Sequence, residues 1–156
     1  EEYGLRRYEV SSHARPGHES RHNQVYWHGA PFLGVGPSAA GFLHGSGATG
    51  GEGGFRRIIN KPIKGWLQHE EPEIVPLTPL DYALERLMTG LRTLRGVDLE
   101  DVRAASGVDV GQSFAPLLTD LHGHGLLETV AGRLRATPAG LIRLDAVLRE
   151  FFAAAA

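Results

Sequence analysis

Leu80, Leu84, Leu87, Met88, Leu91 and Leu94 recur at three- and four-residue spacing, which lines one face of a helix. Thr78 supplies an N-cap hydroxyl, and Pro79 fits a first helical position that needs no backbone N–H. The pattern therefore predicts a helix from 79 towards Gly96. Asp98 repeats the start signal for a short helix ending at Ser106-Gly107. Phe114, Leu117, Leu118 and Leu121 set the buried face of a third helix over 112–122. Ala131-Gly132 then separates 126–130 from 133–136 as a small hairpin, and Thr137-Pro138 opens a last helix with Leu141, Leu144, Val147, Leu148 and Phe151 inward. Three helices, a hairpin wing and a closing helix predict a winged-helix arrangement within residues 66–156.

The earlier part alternates differently. Residues 5–10 read as a strand, and Arg15-Pro16-Gly17 breaks it. Residues 19–27 form a short predicted helix ending near His28-Gly29. Residues 32–36 (Phe-Leu-Gly-Val-Gly) read as a buried strand stopped by Pro37. The glycine-rich run 45–54 reads as a mobile hairpin tip before a strand at 55–59.

Charge supports a division near residue 65. Residues 1–65 carry 8 Lys/Arg against 5 Asp/Glu, and 66–156 carry 8 against 13, about +3 and −5 on the two parts. Hydrophobic content of 42% and charged content of 22% are globular values. There is no cysteine, which rules out disulfides, thiolate nucleophiles and an iron–sulfur cluster held by this chain alone. The apolar runs are shorter than the about 20 residues that cross a bilayer. No leader is expected in Glu1-Glu2-Tyr3, and an opening without Met, directly in a strand, is how an excised piece would begin.

Four stretches offer chemistry. His18-Glu19-Ser20-Arg21-His22 matches the H-E-x-x-H zinc pattern, which needs both imidazoles on one helix face. Pro16-Gly17 puts His18 at a helix edge, Arg21 sets a cation between the ligands, and no third ligand stands at a recognisable spacing, so no metal site is expected. Gly45-Ser46-Gly47-Ala48-Thr49-Gly50 has the form G-x-G-x-x-G, but further glycines follow where a phosphate cradle requires a helix, so a solvent loop is expected. The third predicted helix holds no Lys or Arg and carries Asp120, which argues against nucleic acid and for a docking module. The fourth stretch places His22, Asn23, Tyr26 and Trp27 on about two turns of helix. A neutral imidazole there can ligate a metal or haem iron, and the aromatic rings can stack on a flat macrocycle. The same residues can instead satisfy backbone groups near a loop, and the residues alone favour that structural role, since isolated histidines more often have one.

The run Tyr8-Glu9-Val10-Ser11, Ala14-Arg15-Pro16-Gly17-x-Glu19-Ser20-x-His22-Asn23-x-x-Tyr26-Trp27 and Phe32-Leu33-Gly34-Val35-Gly36-Pro37 resembles the C-terminal half of the oxygen-independent coproporphyrinogen III oxidase family, in its haem-chaperone branch. The resemblance continues more loosely through 85–95 and 125–140. It implies an α+β chain: residues 1–65 as the last strands of a radical-SAM partial (β/α) barrel, followed by a winged-helix-like helical domain at 66–156. It implies haem binding at His22, Asn23 and Tyr26, and a pocket for S-adenosyl-L-methionine near Gly36, Ser38 and Ala40. The four-iron four-sulfur cluster of the family would be held upstream, so no catalytic residue is expected here and the chain alone would not be catalytic. The expected function is that of a haem chaperone passing haem to membrane respiratory proteins, with an N-terminal barrel half as a further partner and a cytoplasmic place at the inner face of the membrane. The alternatives are the oxidase of haem biosynthesis and a winged-helix protein-interaction module. Ser12-His13 depart from the family's Asn-aromatic pair, and Ser38 and Ala40 stand where it often has Gly and His.

The charge of the third predicted helix is testable. Duplex DNA titrated at about 0.15 M salt should show no sub-micromolar, salt-sensitive mobility shift. Such a shift would overturn the docking-module reading.

Overall fold

A computed structural model of the protein describes residues 3–45 and 54–156. At the N-terminal end, β1 (Arg6–Arg7) pairs antiparallel with β2 (His13–Ala14). The strand expected over 5–10 stops early because the chain wraps a carboxylate. Glu9 Oε1 accepts from the Ser11 backbone N–H and hydroxyl, both at 2.8 Å, while Arg92 donates to Oε2 at 3.1 Å. Val10 N–H donates to the Arg92 carbonyl and Leu94 N–H to that of Tyr8, which stitches this segment to the chain beyond residue 90.

Next comes α1 (Arg21–Trp27), capped by the Ser20 hydroxyl, which accepts from the Asn23 N–H. The predicted strand over 32–36 does not form. Only Phe32 pairs, exchanging two 2.8 Å hydrogen bonds with Phe42, and Leu33 and Val35 are 68% and 88% exposed. The Asn60 side-chain amide donates to the carbonyls of both Gly34 and Gly36, supplying the bonds a neighbouring strand would have made. Positive φ at Gly36 (106°) and Ser38 (59°) then turns the chain.

The partner of the 55–59 strand is therefore a different one. β3 (Ala40–His44) and β4 (Phe55–Ile59) form the antiparallel hairpin, whose tip at 46–53 lies outside the described residues. After α2 (Ile63–Leu67), β5 (Glu73–Leu77) joins the other side of β4, giving the order β3-β4-β5. Pro76 has no N–H to give, which suits an edge strand.

Next, α3 (Pro79–Gly90) starts as expected, with a capping box between Thr78 and Asp81. It ends at Gly90 rather than at Gly96, because Gly90 packs against the Val97 side chain with no room for a Cβ and the chain turns there. Met88 and Leu94, expected inward, are each 41% exposed. β6 (Val97–Asp98) leads into α4 (Leu99–Ser106), which Asp98 caps and Gly107 ends at φ 75°. The helix expected over 112–122 is two helices, α5 (Val110–Ser113) and α6 (Ala115–Gly123). They are broken at Phe114 (φ −118°, ψ 23°), whose ring turns in edge-on to Phe151.

Hairpin β7 (Leu127–Val130) and β8 (Arg133–Ala136) turns through Ala131 and Gly132, both at positive φ as a two-residue turn requires. β8 also pairs with β6, so the second sheet runs β6-β8-β7. The last predicted helix is likewise two, α7 (Pro138–Ile142) and α8 (Leu144–Ala154). The first is pinned against the start of β7: Thr137 N–H donates to the Leu126 carbonyl, and a side chain at Gly140 would collide with that carbonyl. The break at Arg143 lets α8 swing free of this anchor to bury Leu144, Val147 and Phe151.

The main core joins Leu87 and Leu91 of α3 to Val97, Val102, Val110, Leu134, Val147 and Phe151, all at 1% exposure or less. A smaller cluster stacks Phe55 on Tyr82 at 4.2 Å, with Phe42 beside it. Tyr82 stands on α3, so that helix serves both. The architecture is a mixed one of helix and sheet.

The Glu9 clamp carries a pH signature. Burial opposes the charge of Glu9, but hydrogen bonds from Ser12, Ser11 and Arg92 outweigh it and hold the carboxyl at about 2. A carboxyl lowered by folding contributes stability above its ordinary value of 4.5 and loses it as pH falls towards 2. Urea unfolding should show this loss over that window. Glu9→Gln should remove about 3 kcal/mol at pH 7 and flatten the slope; an unchanged acid limb would refute the clamp.

Candidate functional site

Ser20 starts α1 and a left-handed glycine ends it. Ala30 N–H returns to the Val25 carbonyl, Gly29 N–H to that of Tyr26, and Gly29 sits at φ 65°. This capping leaves the Trp27 carbonyl without a helical donor. Arg86 of α3 supplies one, with Nη1 at 2.8 Å, and lies so close beneath Gly29 that a Cβ there would overlap its Cδ. Burial pushes the Arg86 guanidinium below its ordinary value, partly offset by Tyr82, which it hydrogen-bonds, and by Asp101. Trp27 packs against Tyr8 at 5.9 Å and lies under the Arg92 guanidinium, also at 5.9 Å. The inner side of α1 is thus fixed by three residues, and its outer side is free.

That outer side carries His22 and Tyr26, one turn apart. The Tyr26 hydroxyl is hydrogen-bonded to His22 Nε2 at 3.0 Å, and the rings meet edge-on at 5.0 Å. His22 is exposed. Tyr26 in turn meets Phe32 edge-on at 4.5 Å. Asn23 is half-buried beside them, its backbone N–H taken by the Ser20 cap. The three residues that the resemblance implied therefore share one short helix, and two of them are in direct contact.

Behind Tyr26 and Phe32 opens a cleft of about 240 Å³. Ala40 and Phe42 of β3 line it, with Tyr82, Arg86 and Met88 of α3. At its polar edge Arg57 of β4 is ion-paired with Glu85 of α3. Burial raises the Glu85 carboxyl above its ordinary value; Arg57 pulls it down, and Asp81 adds a further upward push. Burial also pushes the Tyr82 hydroxyl up.

Other expected positions fall elsewhere. His18 lies three residues before α1 and is exposed, so the two imidazoles of the H-E-x-x-H match do not occupy successive turns of one helix. Among the described residues no three His, Asp or Glu side chains converge. The 45–50 glycine motif lies almost wholly outside the described residues. Gly36 and Ser38 form the turn held by Asn60 and the Lys61 carbonyl, and Ala40 opens β3 at the mouth of the cleft. Ala40 and Tyr26 therefore border one space. Arg57, Glu85 and Arg86 escaped the sequence reading. Tyr82, Arg86 and Thr89 follow helical spacing beside the leucine stripe, and that second stripe was the available signal.

Residues 77–143 match the family model of the HemN C-terminal domain. A heme chaperone HemW of Synechocystis is 28% identical over 170 residues, covering 97% of this chain and 40% of that protein. Radical S-adenosyl methionine domain-containing protein 1, mitochondrial, of Bos taurus is 36% identical over 165 residues, covering 94% of this chain and 35% of its own length. The solved structure of the Escherichia coli coproporphyrinogen III oxidase HemN, a radical SAM enzyme, aligns with a TM-score of 0.61 over 96% of this chain and 37% of its own, at 17% identity. At that identity the likeness shows the fold alone. The chain spans 35% to 40% of the length of these relatives. By these likenesses the chain resembles the C-terminal portion of HemN-like radical-SAM proteins, those named heme chaperone HemW among them.

Proposed function

We propose that this chain is the haem-facing part of a haem chaperone, which takes up haem and passes it to membrane respiratory proteins. The observation that carries the reading is the His22–Tyr26 contact on the exposed face of α1, in the family order His22-Asn23-x-x-Tyr26. His22 would hold haem iron through Nδ1, the ring nitrogen left free, while the Tyr26 hydroxyl on Nε2 holds the ring in one orientation, as a supporting group does for a ligating histidine. The aromatic row His22, Tyr26 and Phe32 offers edges and faces to a flat macrocycle. A cleft of about 240 Å³ is small for a porphyrin, since pockets that enclose ligands of that size run to roughly 300–1,000 Å³. The cargo would lie across the α1 face with one edge in the cleft, and an N-terminal barrel half would close over it.

The donor set fits haem and does not fit the cluster. Without a cysteine this chain supplies no thiolate to a four-iron four-sulfur centre, so that group and its radical chemistry belong to the N-terminal part of such a protein. Gly36, Ser38 and Ala40 would border S-adenosyl-L-methionine. In this reading residues 1–65 continue the barrel and 66–156 form the winged-helix-like domain with β7–β8 as its wing, with β5 of the second part pairing onto β4 of the first. No helix among the described residues is long and apolar enough to cross a membrane. The reading places contact with membrane acceptors at the inner face of the membrane. The oxidase alternative rests on likeness of fold alone.

Haem titrated into the intact chaperone should shift the Soret band, and His22→Ala should weaken binding and move that band. His18→Ala and His28→Ala serve as controls. Unchanged affinity and spectrum in His22→Ala would return His22 to a structural role.

A further inference from the structure

Three features of the cleft behind Tyr26 point to a particular ligand chemistry. Its walls are largely apolar: Phe32, Phe42 and Tyr26 line it, and Met88, unusually exposed for its place in the α3 stripe, closes one side. Its lining carries more positive than negative side chains. Arg57 and Arg86 line it against the single carboxylate of Glu85, while Asp81 and Asp101 act on Glu85 and Arg86 from outside the lining; among the described residues Arg86 forms no direct ion pair. The pairing that does exist is a poor one for Glu85. Its side chain is 25% exposed and burial works against its charge, whereas the Arg57 side chain is 41% exposed at the rim. An apolar cleft whose lining carries two guanidinium groups and one carboxylate suits an amphipathic anion. The planar guanidinium fork of Arg57 suits a carboxylate.

We propose that the cleft is a carboxylate-anchoring subsite, in which Arg57 exchanges Glu85 for a carboxylate of an amphipathic, flat ligand. This rests on the haem-chaperone reading for the ligand's identity, a haem propionate. The anchor itself is independent of iron. The apolar body lies against Phe32, Tyr26 and Met88, the carboxylate reaches Arg57 from the rim without opening the core, and the buried Arg86 adds its field from below. A compact hydrophilic anion would gain the charge but forfeit the walls.

Two metal-free porphyrins separate this subsite from iron ligation. Protoporphyrin IX and its dimethyl ester differ only in the carboxylates, and neither has iron for His22 to bind. Titrated into the intact protein and followed by porphyrin fluorescence, the diacid should bind about tenfold more tightly than the diester, the size of effect a charge-assisted hydrogen bond produces. Arg57→Gln should erase that preference. Glu85→Gln, which removes the competitor, should tighten the diacid severalfold and leave the diester unchanged, an effect no loss of packing would mimic. Equal binding of the two porphyrins, a preference surviving Arg57→Gln, failure of the diacid to bind, or weaker diacid binding in Glu85→Gln would each overturn the proposal. Iron ligation is judged by the His22-dependent Soret shift and the anchor by the diacid-to-diester ratio, so either can fail alone.

Discussion

The guanidinium of Arg86 lies under the C-terminal end of α1 and donates to the Trp27 carbonyl, and the position of the whole site follows from that contact. A seven-residue helix has too few internal hydrogen bonds to hold itself in place. Its glycine cap uses the carbonyls of Val25 and Tyr26 but leaves that of Trp27 facing protein, where an unpaired carbonyl would lose about 1–3 kcal/mol. Arg86 answers that need, and the missing side chain at Gly29 lets it come close enough. With the inner face of α1 fixed against α3, His22 and Tyr26 have only one way to point. The cleft then forms between α1, the β3–β4 hairpin and the same helix α3.

The elements that were legible in the sequence are those whose start and stop signals are local. Thr78 with Asp81, Asp98 with Gly107, and Ala131-Gly132 act within a few residues, and each does what its chemistry dictates. Where the deciding contact is distant in sequence, the pattern misleads. Residues 32–36 have strand-forming side chains, yet an amide 24 to 26 positions away takes the carbonyls of Gly34 and Gly36. The helices expected over 112–122 and after Thr137 keep their apolar spacing on both sides of a break. Periodicity does not register the change of direction at Phe114 and Arg143.

The candidate site divides along the same line. The four-residue step from His22 to Tyr26 is a property of one helix and could be read directly. The Arg57–Glu85 pair joins a strand to a helix across 28 positions, and Arg86 reaches back 59 positions to Trp27. Neither relation leaves a mark on local spacing. A charged residue inside an amphipathic stripe, as Arg86 is, signals a buried partner without naming it.

The two apolar clusters have no boundary of their own on α3. Tyr82 closes the small cluster of Phe42 and Phe55, while Ala83, Leu84 and Leu87 on adjoining positions belong to the large one. Opening the hairpin side therefore strips Tyr82 from its stack and loosens the helix that the main core is built on. Backbone amides of the β3–β4 hairpin and of α3 should then exchange with solvent deuterium through shared openings, as members of one cooperative unit rather than two.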